Sequence, residues 1–237
     1  MTITSSQNQK LKEIRKLSGR RRERDRAGRF VAEGEDLLAA ADAAGWTPLE
    51  RFCAEGSGLA GVGVEPQLLA EASGLGSGTR TLAVYEERWA PAPLGPLCLY
   101  LHGVHDPGNV GTILRSADAF GADCVAIGPG SADPFSPKAV RASMGAIFSV
   151  ALARAGDGVP LPGARVALDA DAPVPLAAAT LPAGELTLMI GAERVGLPAE
   201  LIASAELAVR IPIDTHSLNA AMAATVALYE VTRMARA

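Results

Sequence analysis

The chain reads as an α/β protein in two parts. One is a C-terminal, mostly parallel sheet with helices on both faces; the other is a small N-terminal α/β unit. Three observations predict this. From residue 97 onward, short apolar runs alternate with runs of helix length, the pattern of a parallel sheet covered on both sides. Residues 90–96, APAPLGP, form a Pro-rich break. The residues before that break carry strand and helix signals of their own. The expected domains are therefore 1–90 and 97–237.

Residues 8–18, NQKLKEIRKLS, predict a helix with Leu11, Ile14 and Leu17 on one face and basic residues on the other. The run GRRRERDRAGRF that follows reads as a charged loop, and Phe30–Val31 as the start of an apolar turn. GEDLLAAADAAG reads as a helix that ends at Gly45. RFCAEG and TRTLAVYEE read as short strands, with a helix over 66–72 between them and Gly56–Gly63 as a loop. Past the break, strands are expected at PLCLYLHG, DCVAIG, ARVALDA, LTLMIG and LAVRIP. Helices are expected at Val110–Phe120, Pro137–Phe148, Leu197–Ala203 and Ser217–Met234. On the last of these, Leu218, Met222, Val226 and Tyr229 share one face and suit either the core or a dimer.

The composition narrows the class. The chain has 237 residues, 49% of them apolar and only 4% aromatic, so it can bury a core and that core should be aliphatic. No apolar run reaches the ~18 residues of a membrane span, and nothing resembles a signal peptide. Cys53, Cys98 and Cys124 are odd in number and scattered, as expected of buried thiols in a reducing cytoplasm. The formal charge of −4 conceals an asymmetry. Residues 1–30 hold ten Lys/Arg against three acidic residues, while the remainder holds twelve against twenty-three. A cationic arm on an acidic body suggests a polyanionic partner, or else a solvated tail.

Three runs carry chemistry. In HDPGNVGTILRSADAFG (105–121), Asp106-Pro107-Gly108 forces a turn, Asn109 stands where a helix N-cap is expected, and Arg115 lies beside the apolar stripe. In IGAERVGLP (190–198), a strand ends in a turn where Gly191 permits close approach to the backbone and Glu193 supplies a polar head. In IPIDTHSLNAAMAATVALYE (211–230), a strand delivers Ile211, and Ser217 is the expected cap of a helix whose free N–H groups suit an anionic or acceptor ligand. His102 and His105 lie close in sequence, but no third ligand accompanies them, and structural roles are expected. Neither a GxGxxG turn after a strong strand nor a GK[ST] phosphate loop is present.

In order and nearly in spacing, these runs resemble the three motifs of the SpoU/TrmH family of RNA 2′-O-methyltransferases. The resemblance implies a trefoil-knotted domain that binds S-adenosylmethionine, forms a homodimer and works in the cytoplasm. It places Asn109, Arg115, Glu193, Ser217 and Asn219 at the reaction centre, with Gly191, Ile211 and Leu218 at the cofactor. The N-terminal run, with Phe30, Glu33 and Gly34 after its basic start, is similar to a small RNA-binding domain of the same family. Arg20, Arg21, Arg22, Arg24, Arg26 and Arg29 would then engage phosphates, joined by Lys138 and Arg141 from the segment DPFSPKAVRASMGAIF. The chain departs from the family in a shorter loop, Asp214–His216, and in Ala221, where a second serine is usual. The implied reaction is methyl transfer to a ribose 2′-OH of RNA, with large-subunit ribosomal RNA the expected substrate. Transfer RNA, or a non-catalytic RNA-binding or assembly role, are the alternatives. A guanidinium makes a poor base, since neutral arginine at pH 7 costs about 7 kcal/mol or more. Arg115 is therefore expected to act as a cation that grips phosphate and steadies the developing alkoxide.

Overall fold

The computed structural model describes residues 2–73, 78–156, 158–214 and 217–235. They pack as two units. The first is Met1–Arg88 with Asp133–Phe148, and the second is Trp89–Ala132 with Ser149–Ala237.

In the first unit, helix α1 (Gln9–Gly19) starts at Asn8, whose side chain accepts a hydrogen bond from the Lys10 amide. Its Leu11, Ile14 and Leu17 are buried as their spacing predicts. Helix α2 (Arg21–Ala27) follows, and left-handed Gly28 ends it. Strand β1 (Arg29–Glu33), helix α3 (Glu35–Ala43), strands β2 (Glu50–Ala54) and β3 (Val62–Val64), helix α4 (Pro66–Ala72) and strand β4 (Thr81–Glu86) complete this stretch. The sheet order is β1-β4-β2-β3, and only β2 and β3 run parallel. Phe52, Leu69 and Leu82 join the buried face of α1 in one apolar cluster.

Three expectations fail here, one of them at the end of the Gly56–Gly63 loop, where Val62 and Gly63 lie in β3. The stretch read as a charged loop contains α2, and Phe30–Val31 lie within β1 rather than in a turn. Helix α2 has no apolar stripe to betray it, because its one buried side chain is Arg24. The Arg24 guanidinium donates to Asp133 at 2.7 Å and to the Leu17 carbonyl at 2.6 Å.

The second unit begins with strand β5 (Leu97–Leu101), helix α5 (Pro107–Phe120) and strand β6 (Cys124–Ile127). The chain then enters the first unit for helix α6 (Pro137–Ala142) and a single 3₁₀ turn, Ala146–Phe148. It returns with strands β7 (Ala151–Arg154), β8 (Ala164–Leu168), β9 (Val174–Pro175) and β10 (Leu186–Ile190), helix α7 (Ala199–Ala203), strand β11 (Leu207–Arg210) and helix α8 (Ala220–Ala235). The seven strands form one sheet in the order β7-β6-β5-β10-β8-β11-β9, and every pairing is parallel. Side chains alternate between faces, yet all five residues of β10 and four of five in β5 are buried, so both faces are covered. Helices α5 and α8 pack together, with the Ser116 and Thr225 hydroxyls 2.6 Å apart. All three cysteines are buried free thiols. Among the described residues no helix is long and apolar enough to cross a membrane.

Residues 133–148, placed by sequence in the C-terminal part, pack within the first unit because they close its core. Phe135 lies 4.7 Å from Phe30 between ring centres, and Phe148 lies 5.2 Å from both Trp46 and Tyr85. The Trp46 indole donates to the Phe148 carbonyl at 2.8 Å. Five of the ten aromatic residues thus gather here, in a core that is aromatic rather than aliphatic.

A buried ion pair with one partner removed leaves an uncompensated charge. Arg24→Met is therefore expected to cost about 3–5 kcal/mol by chemical denaturation. Arg21→Met and Arg26→Met, at exposed positions, are expected to stay within about 0.5 kcal/mol. Equal stability for all three variants would show that the Arg24–Asp133 pair does not hold the unit together.

Candidate active site at the carboxyl ends of the parallel strands

Local chemistry sets the start of α5. Asp106 is the true N-cap: its Oδ1 accepts from the amides of Gly108 at 2.6 Å and Asn109 at 3.1 Å, with Pro107 in the first helical turn. The cap expected at Asn109 is thus three residues early in the chain. Asn109 is left with its side-chain amide free of capping duty. Its Nδ2 donates to Glu193 Oε1 at 2.6 Å, and its Oδ1 accepts from Asn219 Nδ2 at 3.1 Å.

The start of α8 is also shifted. Asn219, not Ser217, caps this helix, its Oδ1 accepting from the amides of Ala221 at 3.0 Å and Met222 at 3.2 Å. Ala221, the departure noted in the sequence, is buried, and its carbonyl accepts from the Thr225 hydroxyl at 2.7 Å. A larger polar side chain there would have to fit inside the α8 packing. Asn109, Glu193 and Asn219 are therefore brought together from three elements, up to 110 residues apart in the chain.

Two cavities adjoin this network. The first, about 310 Å³, is lined by the loops that follow β8, β10 and β11 and by the start of α8. Gly191, Ile211, Ser217 and Leu218 all line it, together with Glu193. Its walls also carry Asp169, Asp171 and Arg194. The second, about 590 Å³, is lined by His105, Asp106, Asn109, Glu193 and Asn219 among others. The loop Ala192–Val195 borders both.

Gly191 is required by the chain itself. A Cβ there would lie 2.2 Å from the Gly196 carbonyl carbon and 2.3 Å from the Leu197 nitrogen. The group that approaches its backbone so closely is thus the following turn.

Arg115 stands apart. It is exposed on α5, lines neither cavity, and makes no hydrogen bond or ion pair with the described residues. The expected phosphate-binding residues also divide. Arg20, Arg21, Arg22 and Arg26 are exposed, as are Lys138 and Arg141. Arg29 is half-buried and pairs with Glu13 at 3.0 Å. Arg24 is only 4% exposed and is committed to Asp133, so it must be withdrawn from the RNA-facing set. In the shortened loop Asp214 is exposed, while Thr215 and His216 lie outside the described residues.

Sequence reading missed Asp169, Asp171, Arg194, Val195 and His105 as cavity residues. The available signal was position: ligands of parallel sheets gather beyond the carboxyl ends of the strands, where the first four follow β8 and β10. His105, read as structural, lines the larger cavity, whereas the His102 ring lies 3.2 Å from the Tyr100 hydroxyl.

Comparison with known proteins bears on this geometry. A model described as the SpoU rRNA Methylase family matches residues 96–229, and one described as an MRM3-like substrate binding domain matches residues 8–88. The chain is 28% identical over 256 residues to the 23S rRNA (guanosine(2553)-2′-O)-methyltransferase RlmP of Bacillus subtilis, covering 97% of this chain and 98% of that protein. It is 30% identical over 269 residues to the 23S rRNA (uridine(2479)-2′-O)-methyltransferase of Streptomyces viridochromogenes, covering 97% and 91%. The crystal structure of an AdoMet-bound rRNA methyltransferase from Sinorhizobium meliloti superposes with a TM-score of 0.87 at 29% identity, covering 99% of this chain and 98% of that one. With three polar side chains joined beside a cavity at the strand ends, and a family match over more than half its length, the chain belongs to the SpoU rRNA methylase family.

Proposed function

We propose that this protein transfers a methyl group from S-adenosylmethionine to a ribose 2′-hydroxyl of ribosomal RNA, in the large subunit. The Asn109–Glu193–Asn219 network carries this reading, because all three residues line the larger cavity and Glu193 also lines the smaller. The substrate class is supported by the relatives whose names specify 23S rRNA and of which this chain covers 98% and 91%.

The smaller cavity fits the cofactor chemically. Ile190, Ile211 and Leu218 offer apolar walls for a base, and Asp169, Asp171 and Glu193 offer carboxylates to a cationic sulfonium and ammonium. When bound, S-adenosylmethionine supplies a methyl group already activated as an electrophile. The chain's own task is to align the 2′-hydroxyl and manage its proton. Glu193, held through Asn109, sits on the border of both cavities and can orient that hydroxyl. Asn219 fixes the Asn109 amide so that its donor faces Glu193. Arg115 acts as a cation on the target phosphate and the developing alkoxide, and the proton leaves through phosphate or water.

Exposed Arg115 fits this role in a homodimer. On α8, Met222 is 61% exposed, Val226 43% and Tyr229 54%, an apolar stripe that the core does not use. Tyr229 stacks edge-on against Phe120 at the end of α5, the helix that carries Arg115. A two-fold interface on this stripe would let Arg115 serve the partner's site. The trefoil knot and a cytoplasmic location belong to the same reading. Arg20, Arg21, Arg22 and Arg26, with Lys138 and Arg141, hold the RNA by its phosphates without reading its bases.

Calorimetric titration with S-adenosylmethionine should show saturable binding. Radiolabelled methyl transfer to ribosomal RNA should then leave one linkage resistant to alkaline hydrolysis. Asn109→Asp removes the donor to Glu193 and sets two carboxylates against each other. Turnover should fall about 10²-fold or more, with little change in cofactor affinity. Wild-type turnover in that variant would remove the network from the mechanism.

Mixing offers a separate test of the dimer. Arg115→Ala and Asn109→Ala are each expected to be inactive. Co-refolded in equal amounts, they should regain about a quarter of wild-type activity, since half the dimers are mixed and each mixed dimer has one intact site. No recovery would mean that Arg115 serves the site of its own chain.

A further inference from the structure

The turn Ala192–Gly196 is built more rigidly than a connection needs to be. Ala192 and Gly196 exchange reciprocal backbone hydrogen bonds at 3.1 and 3.0 Å. Gly196 takes the left-handed conformation at φ +73°, and Gly191 lacks the Cβ that would strike the returning chain. Glu193 is tied inward by Asn109. This leaves two side chains at the tip, Arg194 and Val195.

Both tip residues border both cavities, so the tip is the wall between them. Val195 is 86% exposed, the most exposed large apolar side chain among the described residues. Arg194 is exposed and makes no hydrogen bond or ion pair with them. What sets this pair apart is its place: a fixed turn holds one apolar side chain and one guanidinium side by side on the wall that the two cavities share. A ribonucleotide offers the complement of that pair: an apolar base or sugar face, and a phosphodiester that suits a planar fork of donors.

We infer that Arg194 and Val195 position the target nucleotide, Val195 by packing against its base or sugar and Arg194 by pairing with its phosphate. The inference rests on the methyl-transfer reading above and names the residues that would decide which nucleotide reaches the 2′-oxygen site. They touch RNA rather than the reacting atoms, and so act on its affinity and register.

The test uses the full chain and a transcript of large-subunit ribosomal RNA, with affinity measured by filter binding across a salt series. Val195→Ser should weaken RNA binding about tenfold. Arg194→Gln should make the slope of log affinity against log salt shallower by about 0.7, the loss of one phosphate contact to a single strand, and Arg194→Lys should keep the slope. Because both residues also border the smaller cavity, S-adenosylmethionine affinity is measured by calorimetry on Val195→Ser and Arg194→Gln, and its loss should be smaller than the loss of RNA affinity. Unchanged RNA affinity and salt slope would overturn the inference. So would a loss of cofactor affinity as large as the loss of RNA affinity, which would assign the tip to the cofactor cavity. A wild-type chain that bound no cofactor would instead sink the methyl-transfer reading, and the RNA titrations would still decide the role of the tip.

Discussion

The Asn109 amide holds the candidate site together, because it faces both ways between Glu193 and Asn219. It gives a hydrogen bond to a carboxylate and accepts one from a second amide. An aspartate could not give, and a lysine could not accept. The polarity continues outward: Asn219 accepts from two backbone amides of α8 while it donates to Asn109. One directed chain of hydrogen bonds thus runs from the free end of a helix to Glu193. The loop after β10 and the first turns of α5 and α8 are each fixed relative to the others by it.

That chain explains why the caps fall where they do. Asp106 relieves Asn109 of capping α5, and Asn219 combines capping with a second bond through its other side-chain atom. The sequence did mark the turn Asp106–Gly108 and the polar residues of all three runs. It could not show which of several adjacent cap-forming residues would cap, since Asp, Asn and Ser are nearly equivalent in that role. The choice is made by a partner more than eighty residues away.

Legibility elsewhere follows the same physics. Strands β5 and β10 were plain because burial on both faces makes them continuous apolar runs, and α1 was plain because its buried residues repeat on one side. Strands β3 and β9, of three and two residues, leave too short a pattern to read. Helix α2 was hidden for a different reason. Its buried residue is an arginine, and the charge that makes such burial tolerable is Asp133, 109 residues later. The basic arm therefore does two jobs that composition cannot separate. Most of its arginines remain in solvent, while Arg24 is spent inside the unit. The reading of Asp133–Phe148 as part of the second domain failed on the same point, since Phe135 and Phe148 find their neighbours in β1, β4 and Trp46.

The placement of those two phenylalanines has a consequence for synthesis on the ribosome. The first unit is complete only when Phe148 has been made, sixty residues after Arg88. At bacterial-like elongation rates of 5–20 residues per second, that interval is about 3–12 s. Until Asp133 and Phe135 are made, Arg24 has no counter-ion and Phe30 lacks one of its aromatic neighbours, and Trp46 and Tyr85 wait for Phe148 itself. Strands β5 and β6 emerge in the same interval and can already pair. The order of closure along the nascent chain is thus not the order of the sequence: the amino-terminal unit begins first and finishes after the second sheet has started.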